Sequence, residues 1–523
     1  MEKAIQIRPN DNVAIARAKL ESGESVLGIE AIQAIDPLHK IALTKIPRGT
    51  PVIRYGEPIG LASQDIKPGE WVHTHNLSFK YTGRDYKFAT KNPPLPTPPT
   101  ELTHFQGFRR ANGETGTRNY IAVISSVNCS GHVPGLVAEK FKDIKKQFPN
   151  VDGILPFTHQ TGCGITMGNE AHQTLHQTFA GMTKHPNIVS YIMVGLGCEQ
   201  LNPTGMVESG LVQLRDLTSQ GQNGKPFPNK DDGSLLISIQ SHGGTAKVVS
   251  EVCSYIEKLL PRANDVKRTS IPVEELILAM NCGGSDAFSG LTANPAVGYA
   301  ADLLAALGGT AVLAETPETA GAEHILTERA VNQEVGQKLV DLIRWWENYF
   351  AVHTFLHPQP SMDNNPSHGN KAGGLTTIVE KSLGAVAKGG TSRLNHVLKY
   401  AEKIPSRAGL CFMDTPGKDS SSMTGLVAGG SNIGVFTTGR GNVAGWAPVP
   451  TIKICTNTPT YQRLEGDMDL NAGGIMDGTA SVEDVGVTIL AKMIEVASGE
   501  QTCSERLGAN TSCFDPWYFG PSV

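Results

Sequence analysis

The sequence predicts a multidomain α/β protein: a small N-terminal all-β domain followed by two α/β regions with mainly parallel sheets. Three observations carry this reading. Short apolar stretches broken by glycine and proline run to about residue 77, a proline-rich segment follows, and after it come apolar runs that each stop at a polar, glycine-containing loop. At 523 residues the chain is too long for one ordinary core and divides, at the usual domain size, into about three domains.

In the first region the stretches "SVLGIEAI", "HKIALTKIPRG", "TPVIRYGEPIGLA" and "IKPGEWVHTH" are too short and too often interrupted for helices. They read as strands of a compact β module over residues 1–80. "NPPLPTPPTELTHFQG" at 92–107 carries five prolines. Proline sustains neither a sheet ladder nor a helix interior, so residues 81–107 read as an extended linker. Beyond it stand "YIAVISSVNC", "GILPFTHQTGCG", "VSYIMVGLGCE", "LLISIQSHGG", "LILAMNCGG", "TAVLAETPE", "GLCFMDTP", "IGVFTTGRG" and "TIKICTN". Apolarity that is continuous rather than alternating marks strands covered on both faces, as in parallel sheets. A boundary between α/β regions 108–262 and 263–523 is expected in the polar stretch "PRANDVKRTS". No fixed-period repeat points to a solenoid.

A net charge of -5, with 45 basic and 50 acidic residues and no long basic run, gives no electrostatic footprint for nucleic acid or an anionic membrane. The N-terminus lacks the apolar core of a signal peptide and no apolar stretch reaches bilayer-spanning length, so the cytoplasm is the expected compartment. Nine cysteines, an odd number without dense spacing, read as reduced thiols. The apolar content permits a homo-oligomer without requiring one.

Ligands of open parallel sheets bind where the carboxyl ends of the strands converge. Here those ends hold Cys129, His159, Cys163, Cys198, Glu199, His242, Cys282, Asp286, Glu315 and Glu318. A lone cysteine at a strand end is usually packing. Four of nine at glycine-rich strand ends favour a shared site, with Cys129, Cys163, Cys198, Cys282 and Glu199 as candidate metal ligands. No CxxC pair supports a structural zinc site. In "WVHTH", His73 and His75 stand two apart on an expected strand and share a face, to chelate a metal or hold an acid, unless they simply face solvent. "NPSHGNKAGG" places Asn370 and Lys371 in a glycine-rich loop suited to a carboxylate clamp or a base. "FTTGRG" adds Thr438 and Arg440, whose guanidinium can grip a carboxylate with two parallel bonds. In "NCGGSDAFSG" the glycines let backbone amides approach an anion beside Ser285 and Asp286. Cys282 has no neighbouring histidine that would make it a nucleophile.

"GEWVHTHN", "RRANGETGTRNY", "THQTGCG", "VGLGCE", "NCGGSDAFSGLTANPAVG", "NPSHGNKAGG", "EKSLG" and "FTTGRG" together resemble the altronate and galactarate dehydratase family over essentially the whole chain. The resemblance implies an N-terminal SAF-type β-clip domain and a hydro-lyase that takes water from a sugar acid to leave a keto-deoxy acid. It also implies a divalent metal cofactor, Fe2+ or alternatively Mn2+. On this reading the base is Lys371, His159, His73 or His75, and Arg440, Thr438, Asn370, Ser285 and Asp286 hold the substrate. An iron-sulfur cluster on cysteines 129, 163, 198 and 282 is the alternative, and a single ion is preferred because no compact cluster spacing is present. The HxH pair is closer to the altronate branch, while "DAFSGLTANPAVGYAADLL" and "RAVNQEVGQKL" are closer to the galactarate branch. D-altronate, giving 2-dehydro-3-deoxy-D-gluconate, is the leading substrate and galactarate the alternative; a non-catalytic sugar-acid binding protein is the third reading. His368 stands where the family loop usually carries proline.

Overall fold

A computed structural model describes residues 2–79, 85–208, 210, 212, 234–353, 365–511 and 514–519. Residues 81–84 of the expected linker lie outside that set.

The N-terminal module is all-β. Ala4–Ile5, Val13–Ala16, Lys40–Ala42 and Trp71–Val72 form one antiparallel sheet, and Pro51–Arg54, Glu57–Ala62 and Leu77–Ser78 another. Its apolar residues Val13, Ile46, Val52, Val72 and Leu77 share a core with Leu278, Val297 and Leu383 of the C-terminal region, so it is docked rather than tethered. The strand at "WVHTH" is shorter than expected. It ends at Val72, and His73 lies in the turn that follows.

All nine apolar runs form parallel strands. Gly153–Phe157, Tyr120–Ser125, Ile188–Gly195 and Leu235–Ser238 make a four-stranded sheet in that spatial order. A seven-stranded sheet runs Leu394–Leu398, Gly409–Met413, Thr310–Leu313, Ile277–Cys282, Ile433–Thr438, Thr451–Cys455 and Leu470–Asn471. Ile277–Cys282 is central and buried along five of its six residues. Helices cover both sheets, and one apolar cluster joins Tyr120, Phe179 and Tyr191 to Cys411, Met413 and Phe436. Helix Glu170–Lys184 packs on helix Asp419–Ala428 through Gly181, where a Cβ would fall 2.0 Å from the Ala428 carbonyl oxygen. No helix among the described residues is long and apolar enough to cross a membrane.

Three segments differ from the sequence expectation. His104–Arg109, at the end of the proline-rich stretch, pairs antiparallel with Thr269–Pro272, because the prolines stop at Pro99 and the later amides are free to donate. Helix Thr245–Asn264 runs through Pro261, since Val252, Ile256, Leu259, Leu260 and Ala263 bury its apolar face and outweigh one lost amide near the helix end. "NPSHGNKAGG" contains a short helix, His368–Ala372, closed by a capping box between Ser367 and Asn370.

Candidate active site

Strand Ile277–Cys282 opens at its carboxyl end into Gly283–Asp286, and four other segments meet this loop. A Cβ at Gly283 would fall 2.2 Å from an Asp419 carboxylate oxygen, and one at Gly284 would fall 3.5 Å from Arg440 Cβ. Gly284 also has a φ of +61°, a region costly for any side chain. Asn370 donates from Nδ2 to the Ser285 carbonyl at 2.9 Å, which fixes the Lys371 helix to the loop. Thr438 Oγ1 accepts from Gly441 N at 3.0 Å and shapes the turn that carries Arg440.

Arg440 is exposed and Lys371 half-buried; neither side chain makes an ion pair among the described residues. Gly369, two residues before Lys371, lies against the Arg440 side chain: its Cβ would be 3.8 Å from Cδ and Nε. Asp286 is different. Its Oδ1 accepts from Phe288 N, Ser289 N and Ser289 Oγ, and Oδ2 from Thr456 Oγ1 and Asn457 Nδ2. With both oxygens engaged in the interior it holds the loop in shape and offers no free oxygen to a substrate. Ser285 is buried beside it.

Behind the loop lies a buried charged cluster. Cys282 Sγ is 3.5 Å from Glu315 Oε2 and 3.8 Å from Glu318 Oε2. Lys388 Nζ donates to Cys282 Sγ at 2.7 Å and to Glu315 Oε2 at 3.1 Å, and Lys381 donates to Glu318. Glu315 has a φ of +66°, a left-handed conformation that costs a non-glycine residue about 1–3 kcal/mol, held by the hydrogen bond its backbone N–H donates to Thr415 Oγ1 at 2.8 Å. Burial pushes the Cys282 thiol up to about 12, with Glu315 adding to the shift. Burial likewise raises Glu315 to about 7, against the pull of Lys388. Asp419 at the cluster's mouth rises to about 7 through burial and then Glu318. Lys388 is held above the ordinary lysine range: burial would lower it, but the charges of Cys282 and Glu315 prevail.

Cys282, Glu315 and Glu318 are the one group of three such donors, among the described residues, whose ligand atoms lie within 4.8 Å of one another. Glu315 Oε1 is buried without a hydrogen-bond partner. A thiol with two carboxylates suits a borderline divalent ion. Two carboxylates, Asp419 and an ionisable thiol also outnumber the two lysines in negative charge. The residues fit a divalent cation that replaces the protons burial now favours.

The expected metal set is therefore divided. Cys282 sits in the seven-stranded sheet, whereas Cys129, Cys163 and Cys198 are exposed on loops of the four-stranded one. Glu199 is buried, accepting from Ser126 Oγ at 2.9 Å and from Gly197 N at 2.6 Å, so its oxygens serve the loop. His159 is also on the four-stranded sheet and does not reach the Gly283 loop's neighbours by any described bond. Its Nε2 bonds the Ser125 carbonyl at 3.1 Å, Nδ1 accepts from Thr161 N at 3.2 Å, and burial lowers it to about 4. His73 donates from Nε2 to the Lys371 carbonyl at 3.0 Å and is lowered to about 4 by burial and Lys40. His75 is exposed, its ring 4.9 Å from that of Trp71. The residues that sequence reasoning missed are Lys381, Lys388 and Asp419. The two lysines stand seven apart, Lys381 in helix Ile378–Ala385 and Lys388 in the 3-10 turn Val386–Gly389 that continues it, in a segment otherwise almost free of charge, and that was the available signal.

Comparison with known proteins covers nearly all of this architecture. Residues 2–80 match the altronate/galactarate dehydratase SAF domain, 107–264 the second domain of D-galactarate dehydratase/altronate hydrolase, and 273–521 the D-galactarate/altronate dehydratase C-terminal model. The chain is 36% identical to the altronate dehydratase of Bacillus subtilis (strain 168) over 512 residues, 97% of each protein. It is 37% identical to the galactarate dehydratase (L-threo-forming) of Escherichia coli (strain K12) over 522 residues, 98% of this chain and 96% of that one. Against the altronate dehydratase of the same organism identity is 33% over 507 residues, 96% of each.

Proposed function

The chain belongs to the D-galactarate/altronate dehydratase family, and from that membership we infer a hydro-lyase that removes water from a sugar acid at the Gly283–Asp286 loop. D-altronate is the leading substrate and galactarate the alternative. The observation that supports the placement is the approach of Asp419 and Arg440 to one glycine-opened loop, with the helix that carries Lys371 fastened to it through Asn370, next to the Cys282, Glu315 and Glu318 donors.

Dehydration beside a carboxylate takes the proton from the α-carbon, moves its electron pair into a new carbon–carbon double bond, and breaks the bond to the β-hydroxyl. That oxygen takes a proton and leaves as water, and the enol tautomerises to the keto-deoxy acid. Arg440 and Lys371 supply the cationic side of the pocket for the substrate carboxylate. Asp419, near neutrality in its proton affinity, is poised to take the α-proton and return it to the leaving oxygen. Lys388 and Lys381 hold the carboxylates of Glu315 and Glu318 in place. Cys282, Glu315 and Glu318 would hold the divalent ion, ferrous iron by their mixed soft and hard chemistry. Bound there, it would supply positive charge against the charge that builds on substrate oxygens. His73 acts as a positioning residue, through the Lys371 carbonyl.

Incubating the protein and Fe2+ with a panel of aldonates and aldarates, assayed for 2-keto-3-deoxy acids, tests this directly. Turnover of D-altronate above the others is the expected result; no product from any of them would refute the reading and favour binding without catalysis.

A further inference from the structure

Three of the eight described cysteines are exposed, and all three lie at the carboxyl edge of the four-stranded sheet. The other five are buried, the ordinary state of a free cysteine. Cys129 follows strand Tyr120–Ser125, Cys163 follows Gly153–Phe157 and Cys198 follows Ile188–Gly195, which are three adjacent strands.

The three loops are bound to one another in pairs. Asn128 N donates to the Thr161 carbonyl at 2.9 Å, Gly164 N to Gln200 Oε1 at 2.9 Å, and Ser126 Oγ to Glu199 Oε1 at 2.9 Å. Each bond lies within three residues of a thiol on either side. Gly162, at a φ of +98°, lets the second loop lie on the first: a Cβ there would meet the Ser126 carbonyl oxygen at 2.4 Å. Buried His159 and Glu199 fix the backbone beneath these loops, as described above. The loops are tied to one another by these bonds, and their three cysteines are exposed.

We propose that Cys129, Cys163 and Cys198 ligate an iron-sulfur cluster of the four-iron type, with the fourth iron left open to a hydroxyl or carboxylate oxygen of an α-hydroxy acid. The thiols are not set for one shared ion. The three Sγ atoms do not all lie within 4.8 Å of one another, the span that the Cys282 donor group meets. A single ion with metal–sulfur bonds of ~2.3 Å draws its thiolates closer than that. A cluster whose ligands each bind a different iron spreads them wider. Each thiol loses its proton on ligation, and with three protein ligands one iron keeps an exchangeable site. The loops also look toward the rest of the machinery. Gln160 N donates to Tyr518 Oη at 2.7 Å, and Asp515, in the same C-terminal segment, accepts from Ser420 and Ser421 beside Asp419. This site stands apart from the Cys282 group and survives or fails independently of it.

The test uses the full chain, purified anaerobically and reconstituted with iron and sulfide under thiol reductant. Acid-labile sulfide near four per chain, iron near four in the Cys282→Ala protein and up to one more in the unaltered chain, broad visible absorption and an electron paramagnetic resonance signal after dithionite reduction are expected. Cys129→Ser, Cys163→Ser and Cys198→Ser should each abolish labile sulfide while far-UV circular dichroism stays unchanged, since the side chains are exposed. Cys282→Ala should retain it. Adding D-altronate should shift the resonance signal of the reduced cluster. Absence of labile sulfide, its persistence in all three serine variants, its loss in Cys282→Ala, or a signal indifferent to the hydroxy acid would each overturn the proposal, the last as to the open iron.

Discussion

Replacing Glu380 with glutamine tests whether the N-terminal β-clip is held on the C-terminal region by a buried charge. The Glu380 carboxylate accepts from Lys40 Nζ at 2.9 and 3.0 Å, from Arg54, and from the amide of Thr376 at 2.8 Å. All three charged side chains are wholly buried. Burial alone would raise the Glu380 carboxyl, but Lys40 and Arg54 draw it down to about 2. Burial pushes Lys40 down to about 8 even with Glu380 beside it. Glutamine keeps the shape and can still accept from Thr376, yet it removes the one negative charge and strands two cations. Breaking a buried pair from one side costs about 3–5 kcal/mol, and two stranded cations place the loss toward the top of that range. Urea denaturation measures the stability, and protease cleavage between residues 80 and 107 reports release of the β-clip. Because His73 bonds the Lys371 carbonyl, KM for the sugar acid should rise as the module loosens. A triple replacement of Lys40, Arg54 and Glu380 by methionine should recover most of the stability, since it leaves no charge unpaired. A Glu380→Gln protein with unchanged urea midpoint and unchanged cleavage would show that apolar packing alone docks the module.

Four further outcomes follow from the same geometry. Arg440→Lys should raise KM by roughly ten-fold or more with kcat little changed, since the two parallel bonds of the guanidinium are lost; steady-state kinetics with an unmoved KM would take Arg440 out of the carboxylate pocket. Asp419→Asn should lower kcat about 10²–10⁴-fold and remove the pH–rate limb near neutrality; a mutant profile that keeps that limb assigns it elsewhere. Cys282→Ala should weaken Fe2+ binding in equilibrium dialysis at least about ten-fold, and equal affinity would return the thiol to packing. His159 has a folded-state value of about 4 against the usual 6.5, so only the unfolded chain takes its proton between those pH values. Its contribution is complete above pH about 6.5 and is lost as pH falls toward 4, by about 3 kcal/mol. His159→Gln should flatten that part of the stability–pH curve.

The fold was legible wherever burial left a one-dimensional trace. A strand covered by helices on both faces must be apolar at every position, so nine runs announced nine parallel strands. Leu394–Leu398 and Leu470–Asn471 were missed because they lie at the two ends of the seven-stranded sheet and are only partly buried. An edge strand needs no continuous apolar run, and "LNHVL" carries Asn395 and His396 in its middle. Among the described residues the proline-rich segment forms no ladder up to Pro99; the strand beyond it depends on a partner 160 or so residues away, which local composition cannot reveal.

The site was legible as a list of strand ends but not as an assembly, and the reason is topological. The carboxyl ends of all parallel strands look alike in sequence, so Cys129, Cys163, Cys198 and Cys282 read as one set. Sheet membership divides them into three and one, and only the pairing register carries that information. The same ambiguity applies to charge. Asp286 and Glu199 drew attention as carboxylates at strand ends, yet each faces a loop whose amides and hydroxyls take up its oxygens. Glu315 at an equivalent position keeps one oxygen unpartnered, because a left-handed backbone turns it toward Cys282 rather than toward its own loop. A carboxylate already satisfied at rest has little to offer a ligand, whereas one held buried, strained and half-satisfied is paid for by the rest of the fold. That distinction, rather than the presence of the charge, is why Glu315 and not Asp286 is the proposed ligand.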